Sequence, residues 1–409
     1  MTVSPAASIT EQRASSVRSP RPVRRVLHVF HSLGMGGAET WLVALLEWLA
    51  INGESLPFEL QVEVCLTGGE RAIFDDRVEA LGAKLHYIRY QRRQLGKFTR
   101  QFRRLLANGR FDAIHDHADY AGGVHLLLGL GELPPARVIH VHNPFATFGG
   151  SGKERIVRAI GRQAVARLAT TVAGTSRRIL EEYHFAPDPH SRQRRVAIHC
   201  GFDLSLYADD AGKARRDVRA EFEWSAETKI LLFVGRLESH FNQKNPQFAI
   251  DVALECIARN DGVRALFVGA GDGARQEIQT ELERRGMADR IRLSGIRFDV
   301  PRLMLAADLL LFPSVAEGLG MVAVEAQAAG LRVLASDTTP RECEVVAGMV
   351  TFASLALPAT EWADRVLALI DAPPVDHAVA LDALSDSGFS IGNSALALFD
   401  AYGLAVAPS

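Results

Sequence analysis

Short apolar segments alternate with helix-like segments along most of this chain, in two successive series. The first series has strand-like segments at 26–31, 60–66, 84–88, 113–115, 137–142 and 170–174, with helical patterns at 38–50, 95–107 and 153–168. A charged, alanine-rich stretch follows, and the second series has strand-like segments at 229–235, 265–269, 291–294, 309–313 and 332–335. Strands separated by helices favour parallel, doubly wound sheets. The sequence therefore predicts an α/β protein with two Rossmann-like doubly wound domains.

A break near 205–225 separates the two series, and a chain of 409 residues is long enough for two domains. Residues 1–23 are rich in Ser, Ala, Pro and Arg but lack the apolar region of a signal peptide, so we expect a disordered leader. Residues 386–409 are expected to form a C-terminal helix that crosses back to the first domain. Ligands of doubly wound sheets bind outside the carboxyl ends of the strands, which predicts a site in the cleft between the domains.

Composition and charge limit the classes of protein that are possible. Apolar residues make up 48% and charged residues 23% of the chain, which is typical of a globular protein with buried cores. No run of about 18 apolar residues exists, so we expect no spanning helix. The four cysteines are widely spaced, which favours a reducing cytoplasm. Residues 1–205 carry 27 Lys and Arg against 19 Asp and Glu, so we expect the first domain to meet an anionic surface or acceptor.

The segment LFPSVAEGLGMVAVEAQAAG at 311–330 carries the clearest chemical signal. An apolar strand stops at Pro313, and a turn containing Glu317 leads into a helix-like stretch with a second acid, Glu325. A strand that ends in a glycine turn and feeds a helix points several backbone N–H groups at one spot, where the helix dipole favours a phosphate. The two glutamates are placed to bind sugar hydroxyls beside that phosphate. The pattern predicts a site for a nucleotide-linked sugar.

Two cationic residues, Arg236 and Lys244, follow the strand LLFVG of the second series. Charged residues in such a loop are usually solvated, and that interpretation is preferred for either residue alone. Arg236, however, directly follows a strand in the domain that also contains the anion-binding turn. Together with Glu317 and Glu325, the pair is suited to neutralise a diphosphate leaving group.

Two glycine-rich loops have open or weak interpretations. Gly34, Gly36 and Gly37 follow the first strand, and they indicate either a tight turn before a helix or a close backbone approach to a phosphate or sugar. The segment VGAGDG at 268–273 resembles a dinucleotide fingerprint but departs from it at the third glycine. We therefore expect a packing turn there rather than NAD binding.

Histidines cluster near two strand ends of the first domain. His142 ends a strand just before the turn signal Asn-Pro, a position where a histidine is more often a structural hydrogen-bonding group than a catalyst. His115 and His117 lie in AIHDHAD, where Asp116 and Asp119 would complete a metal site. Because alternating residues of a strand point to opposite faces, we expect no shared metal there.

The segment 89–110 carries eight basic residues and no acidic residue, with apolar residues at helical spacing. One interpretation is a surface helix whose apolar stripe packs on the sheet. The alternative is docking to an anionic membrane surface or to a lipid diphosphate acceptor. Binding to nucleic acid is disfavoured because aromatic residues that could stack on bases are sparse.

Three motifs together resemble the family 4 retaining glycosyltransferases, which have the glycosyltransferase-B fold. They are GGAE at 36–39, the strand–VGRL–KN segment at 231–245 and EGLGMVAVEAQAAG at 317–330. The segment FSIGNSALALFDAY at 389–402 is similar to the family's terminal helix. The junction IHCGFD at 198–203 departs from the Pro-Asn-Gly-Ile/Val-Asp that the family often has there.

The resemblance implies catalytic roles for Arg236, Lys244, Glu317 and His142. Arg236 and Lys244 would hold the diphosphate as it leaves. Glu317 would contact the donor sugar's hydroxyls, and His142 would lie near the sugar's 6-hydroxyl. Glu325 would bind the ribose. The donor-binding set that the resemblance implies is Gly36, Gly37, Gly295, Arg297, Gly318, Leu319, Gly320, Met321, Val322 and Glu325.

The implied function is retaining transfer of a hexose-type sugar from a nucleotide-diphosphate donor, expected to be a UDP-sugar. The acceptor would be a saccharide or lipid-linked molecule in cell-surface polysaccharide synthesis. Residues 24–205 would form the acceptor domain and 206–385 the donor domain, with no cofactor and no required metal. We expect a cytoplasmic protein, peripheral at the inner face of the plasma membrane. Two alternatives stay open: a nucleotide-sugar epimerase of the same architecture, and a non-catalytic partner that binds nucleotide sugar.

Overall fold

The computed structural model describes residues 20–144, 152–186, 188–237 and 242–404. Its two parallel sheets have seven and six strands, and helices connect the strands within each sheet. This arrangement confirms the predicted α/β class with two Rossmann-like doubly wound domains. The predicted leader, 1–23, lies outside the described residues except for 20–23. β1 already begins at Val23, and the Arg21 guanidinium donates to the carbonyl of Leu56 at 3.2 Å.

The N-terminal sheet has the spatial order β3-β2-β1-β4-β5-β6-β7. Its strands are β1 (Val23–Phe30), β2 (Glu59–Leu66), β3 (Lys84–Tyr87), β4 (Ala113–Asp116), β5 (Ala136–Val141), β6 (Thr171–Gly174) and β7 (Arg194–Ala197). Its helices are α1 (Gly37–Asn52), α2 (Asp75–Ala80), α3 (Leu95–Gly109), α4 (Tyr120–Leu128), α5 (Gly152–Leu168) and α6 (Arg177–Glu182). The chain order reverses between β1 and β4, and this reversal opens a crevice at the carboxyl edge.

The C-terminal sheet repeats the same plan, with the spatial order β10-β9-β8-β11-β12-β13. Its strands are β8 (Lys229–Val234), β9 (Val263–Val268), β10 (Ile291–Gly295), β11 (Leu309–Phe312), β12 (Val333–Ser336) and β13 (Val350–Ala353). Its helices are α7 (Ala211–Glu221), α8 (Pro246–Arg259), α9 (Asp272–Arg284), α10 (Val300–Ala306), α11 (Met321–Ala328), α12 (Ala359–Ile370) and α13 (His377–Ser385). The reversal here lies between β8 and β11, the two strands that precede the Lys244 loop and the glycine turn.

Central strands agree with the sequence prediction, whereas two edge strands were not predicted. β11 is four consecutive buried apolar residues, the pattern of a parallel strand covered on both faces. β7 reads RRVA, and its residues are exposed or half-buried because helices cover an edge strand less completely. β13 is equally short and has two half-buried residues between buried ends. The apolar pattern is therefore weak in these two edge strands.

The last helix, α14 (Ile391–Ala401), packs in the N-terminal domain although the preceding helices belong to the C-terminal domain. Phe399 is fully buried in the same cluster as Trp41 of α1. Ser394 accepts a hydrogen bond from Trp41 Nε1 at 3.0 Å and donates to the carbonyl of His199 at 2.7 Å. Phe202 and Ile391 are joined by a backbone hydrogen bond of 3.0 Å. The chain thus crosses between the domains twice at one place.

Candidate active site

The glycine turn at 317–320 joins β11 to α11 at the carboxyl edge of the C-terminal sheet. Gly320 caps α11 with φ of +95°, a conformation that glycine adopts without strain. Leu319 is 2% exposed and packs in the core of the C-terminal domain, so it anchors the turn to that core. Met321 and Val322, the first two residues of α11, are half-buried against the same core, and Met321 also contacts the N-terminal core.

Gly318 of the glycine turn lies directly against the N-terminal domain. A Cβ atom at this position would lie 2.0 Å from the carbonyl oxygen of His142, so only glycine fits. The hydroxyl of Ser176, fully buried at the start of α6, donates to the carbonyl of Gly318 at 2.6 Å. The two sheet edges therefore meet where the sequence predicts the donor site.

Lys244 and Glu317 form a direct ion pair. The distance from Lys244 Nζ to Glu317 Oε1 is 2.5 Å, and the side chains are 21% and 7% exposed. Nζ also lies 5.4 Å from the centre of the Phe312 ring at the end of β11. The neighbouring Gln243 donates to the carbonyl of Ala316 at 2.7 Å, which fixes the loop after β8 against the glycine turn.

Glu325 lies in the second turn of α11 and is half-buried. Burial raises the pKa of Glu325 to about 7, and the positive charge of Lys244 acts in the opposite direction. Lys244 is thus close enough to influence one glutamate while it is paired with the other. The structure brings together three of the residues that the sequence analysis selected.

Arg236 is exposed just beyond β8, where its charge acts on Glu39 of the N-terminal domain. Burial raises the pKa of Glu39, whereas a backbone hydrogen bond and Arg236 lower it in part. The Glu39 carboxylate lies over Gly36, where a Cβ would be only 2.3 Å from its Oε2. Gly37, the first residue of α1, is exposed, and no described atom lies within 4 Å of a Cβ built on it. Packing against the Glu39 carboxylate therefore explains the glycine at position 36, whereas no packing contact among the described residues explains Gly37.

Asp119 fixes the backbone at His142, directly after β5. Its carboxylate accepts from the N–H of His142 at 2.8 Å and from Nδ2 of Asn143 at 3.0 Å. Burial raises the pKa of Asp119 to about 6, with these hydrogen bonds acting in the opposite direction. Asp119 also has φ of +51°, an uncommon conformation for a residue other than glycine.

No functional role was predicted from the sequence for Glu39 or Ser176, and Asp119 was considered only as part of a metal site that was then rejected. Asp119 and Ser176 come directly after β4 and β6, and Glu39 lies in the first turn of α1, the helix that follows β1. That position was an available signal, since the carboxyl ends of parallel strands define the crevice. Glu39 was included in the GGAE motif but was given no chemistry.

Gly295 and Arg297 lie at and beyond the end of β10. Gly295 has φ of +70°, and its carbonyl accepts from the N–H of Gly269 at 2.9 Å. The Arg297 guanidinium makes two 2.7 Å contacts with Asp299 and one of 2.6 Å with Glu221. The Arg297 side chain is therefore engaged within its own domain.

The VGAGDG loop packs against the loop after β8. A Cβ at Gly269 would lie 1.9 Å from the carbonyl oxygen of Gly235, and one at Gly271 would lie 2.9 Å from the carbonyl carbon of Leu237. Both glycines have positive φ. Close packing between two loops accounts for both glycines.

The expectation that alternation separates His115 from His117 is wrong. They are two residues apart, so their side chains emerge on the same face, and the ring centres are 4.1 Å apart. His28, His140 and His142 join them. Among the described residues, two groups of three histidines have nitrogens close enough for a metal ion: His28-His115-His117 and His117-His140-His142. Asp116 instead accepts from His125 at 2.7 Å, and Asp119 bonds the backbone as described above.

Two sequence profiles match this chain, one on each domain. The profile described as Glycosyltransferase Family 4 matches residues 35–206, and the profile described as Glycosyl transferases group 1 matches residues 228–372. The chain is a glycosyltransferase with a family 4 domain followed by a group 1 domain.

Two relatives and two solved structures are similar to this glycosyltransferase over more than two thirds of their length. EpsF of Bacillus subtilis (strain 168), which carries a glycosyltransferase assignment, is 27% identical over 388 residues, 93% of this chain and 97% of EpsF. D-inositol 3-phosphate glycosyltransferase of Corynebacterium aurimucosum is 28% identical over 296 residues, 66% of this chain and 68% of that protein. Anabaena Alr3699/HepE, solved in complex with UDP-glucose, superimposes with a TM-score of 0.72 at 19% identity, covering 93% of this chain and 99% of HepE. WaaG, a glycosyltransferase involved in lipopolysaccharide biosynthesis, gives a TM-score of 0.69 at 16% identity, covering 92% and 100%.

The basic helix α3 of this glycosyltransferase packs its apolar stripe on the sheet. Phe98, Phe102 and Leu106 are at most 2% exposed. Arg100, Arg103 and the other basic residues of the helix whose side chains are described lie on the exposed face. The helix therefore presents charge rather than apolar surface. Within the described residues, no helix has both the length and the hydropathy needed to span a bilayer.

Proposed function

We propose that this glycosyltransferase transfers a hexose from a UDP-sugar to a saccharide or lipid-linked acceptor, with retention, in cell-surface polysaccharide synthesis. The observation that carries the proposal is the position of Lys244, which contacts Glu317 at 2.5 Å beside the start of α11. A cation, a helix N-terminus and a sugar-binding acid are thereby concentrated at one point of the interdomain cleft. The UDP-glucose complex of HepE, a protein of the same fold, supports the choice of nucleotide.

The reaction that this site suits is departure of a diphosphate. Lys244, Arg236 and the N–H groups at the start of α11 stabilise the charge that develops on the leaving oxygen. The bond between the anomeric carbon and that oxygen breaks, and an oxocarbenium-like centre forms. The acceptor hydroxyl then attacks from the face that the diphosphate leaves, and its proton passes to the departing phosphate oxygen. No protein nucleophile is required.

The Lys244–Glu317 pair has a second consequence for binding. A diphosphate that engages Lys244 releases the Glu317 carboxylate, which then accepts hydrogen bonds from sugar hydroxyls. Glu325, in the second turn of α11, accepts hydrogen bonds from the ribose hydroxyls. The two glutamates therefore act on different parts of one donor, and neither acts as a general base.

The acceptor side of the site is assigned to the N-terminal domain. A cavity of about 340 Å³ opens between the domains beside Glu317. Its lining residues are Pro144, Arg178, Glu182, Val315, Ala316, Glu317 and Thr338. The exposed basic face of α3 would hold the protein against an anionic membrane at the cytoplasmic face, where a lipid-linked acceptor resides. The proposed reaction uses no cofactor or metal, and we expect no nucleic-acid partner.

The test begins with a thermal-shift screen against a panel of nucleotide sugars, because a ligand that binds the folded state raises its unfolding midpoint. The donor with the largest shift is then incubated with saccharide and lipid-linked acceptors, and the anomeric configuration of the product is read by NMR. Transfer with retained configuration is expected. Epimerised donor in the absence of acceptor would establish the epimerase instead. Donor binding without transfer or hydrolysis across the acceptor panel would leave a binding protein.

A further inference from the structure

Behind the cleft, five histidines and one tyrosine fill a closed volume against the N-terminal sheet; we call this group the histidine network. Its members are His28, His115, His117, His140, His142 and Tyr402. Phe30 stacks on His117 with ring centres 4.0 Å apart, and Trp41 makes edge contacts with three of the imidazoles. All members except half-buried His142 are at most 8% exposed.

The imidazoles of the network are neutral. Burial lowers the pKa of all five, and that of His28 and of His142 falls to about 3. A neutral imidazole has one N–H donor and one lone-pair acceptor. One fixed proton therefore determines the role of every nitrogen that is joined to it by hydrogen bonds.

The fixed proton lies on His140. Its Nε2 is 3.1 Å from the carbonyl oxygen of Ile198, and because a carbonyl only accepts, Nε2 carries the hydrogen. Nδ1 of His140 is then the acceptor. It lies 3.2 Å from Nε2 of His115, which therefore donates.

Tyr402, from the turn after α14, continues the series. Nδ1 of His115 must accept, and the Tyr402 hydroxyl donates to it at 2.8 Å. The oxygen of that hydroxyl accepts in turn from Nε2 of His28 at 3.3 Å. The C-terminal helix thus supplies the group that connects the two halves of the network.

The remaining bonds lead to the cleft. Nδ1 of His28 accepts from Nε2 of His117 at 3.0 Å, and Nδ1 of His117 accepts from Nε2 of His142 at 2.9 Å. His142 therefore carries its proton on Nε2, and its Nδ1 is a lone pair. The Cys200 sulfur lies 3.9 Å from that Nδ1, and burial raises the pKa of this thiol, so it is an uncharged, weak donor.

We propose that the histidine network is a one-directional series of hydrogen bonds that holds His142 in its Nε2–H tautomer. His140, His115, His28, His117 and Tyr402 are positioning residues that act through His142. A metal ion on either group of three nitrogens would have to break bonds of this series, which already gives each ring nitrogen a partner. Any ligand group that meets Nδ1 must donate a hydrogen bond. A sugar hydroxyl fits there, whereas a carboxylate or carbonyl oxygen does not; this consequence rests on the proposed function.

The test is the tautomer of His142 in the full-length protein, read from nitrogen-15 NMR of histidine-labelled samples. The His142 signals are assigned by their loss in His142→Ala. We expect a protonated Nε2 and an unprotonated Nδ1 in the wild-type protein. An Nδ1–H tautomer, an imidazolium, or stoichiometric zinc in the purified protein would each overturn the proposal. This readout needs no turnover, so it stands whether or not sugar transfer is observed.

Two variants test the direction of the series. Tyr402→Phe removes its connecting hydroxyl, and we expect the His142 signals to become a mixture of both tautomers. If half the molecules hold the wrong tautomer, the donor KM rises about twofold. Tyr120→Phe is the matched control, since it deletes a buried hydroxyl that donates to the Tyr183 carbonyl at 3.2 Å outside the network. Unchanged His142 signals in Tyr402→Phe would reject the proposal.

The second variant applies if Tyr402→Phe fails to fold. Cys200→Ala removes the weak donor at the cleft end and leaves the anchor at Ile198 intact. The His142 tautomer is expected to stay Nε2–H. A switch of tautomer in Cys200→Ala would show that the thiol sets the direction, and the proposal would fall.

Discussion

Lys244 and Glu317 are 73 positions apart in sequence, and Nζ of the lysine lies 2.5 Å from Oε1 of the glutamate. The pair joins the loop after β8 to the turn before α11, and these are the loops on either side of the reversal in strand order. The same lysine influences Glu325. One cation therefore organises both acids of the candidate donor site.

Replacing Lys244 tests the leaving-group assignment. Lys244→Ala is expected to lower turnover about 100- to 1,000-fold, the usual cost of removing one group that stabilises developing charge. Steady-state transfer with the donor from the screen measures the effect. Lys213→Ala is the control, because Lys213 is a 71% exposed lysine of the same domain. The double variant Lys244→Ala/Glu317→Gln also removes the buried carboxylate that the single variant would leave unpaired, so it is made for comparison with the single variant. Near-normal turnover in a folded Lys244→Ala protein would contradict the assignment.

Donor affinity should depend on the protonation of Glu325. Its pKa is raised to about 7, and hydroxyls of a ribose bind the carboxylate rather than the acid. The ionised fraction falls about tenfold between pH 8 and pH 6, so the Kd for a nucleotide sugar should rise by about the same factor. Calorimetric titration at both pH values measures this ratio. Glu325→Gln should bind the nucleotide sugar more weakly, and the ratio of its Kd values at pH 6 and pH 8 should be near one. If this variant were as pH-dependent as the wild type, Glu325 would not be the titrating group.

The raised pKa of Glu325 also makes the stability of the protein depend on pH. Because the folded protein holds the Glu325 proton more tightly than the unfolded chain, this group favours folding fully below its ordinary pKa of 4.5. That contribution is lost as the pH rises through about 7. Between pH 5 and pH 8 the unfolding midpoint of the wild type is therefore expected to fall relative to that of Glu325→Gln, which has no carboxyl group to ionise at this position. A constant difference would argue against a raised pKa.

Gly318→Ala should damage the contact between the domains. The added Cβ would lie 2.0 Å from the His142 carbonyl oxygen, and overpacking of this kind costs about 1–3 kcal/mol. We expect loss of transfer activity with folded domains by circular dichroism. Gly273→Ala in α9 is the matched control, since no described atom lies within 4 Å of its Cβ. Wild-type activity in Gly318→Ala would mean that the closed contact is unnecessary for catalysis.

Asp119→Ala removes the acceptor for the His142 N–H and for the Asn143 amide. The two hydrogen bonds are partly buried, so their loss costs about 1–3 kcal/mol in total, and a domain of this size loses about 2–4 °C per kcal/mol. Differential scanning fluorimetry should show a midpoint several degrees lower, and the donor KM should rise. Asp188→Ala removes a comparable bond to the N–H of His190, but in an exposed turn, and should change stability by at most about 0.5 kcal/mol. Equal midpoints for the two variants would contradict the role given to Asp119.

The basic face of α3 should bind anionic vesicles at low salt and release them as ionic strength rises. Arg100→Glu combined with Arg103→Glu is expected to abolish co-sedimentation. Arg284→Glu combined with Arg285→Glu makes the same charge change at the end of α9 in the other domain and should leave binding intact. Failure of the wild-type protein to bind at low salt would end the membrane hypothesis.

The fold was accessible from the sequence because most central strands are apolar runs bounded by loops, as β11 illustrates. β7 and β13 were missed since strands at a sheet edge are only partly covered. The glycine turn with Glu317 and the acid of α11, Glu325, were also accessible, because a strand, a turn and a helix start are contiguous in sequence. The error at His115 and His117 came from the wrong period, since residues two apart share a face of a strand.

By itself, the sequence determined the alternation of strands and helices, the glycine positions, and which cations and acids follow which strands. Only the tertiary structure decided that Lys244 pairs with Glu317, that the charge of Arg236 acts on Glu39, and that Tyr402 bonds a histidine 287 positions away. Local periodicity reports which face of an element is buried. Which loops meet depends on strand order and on the crossing of the last helix, and these follow from packing of the whole chain.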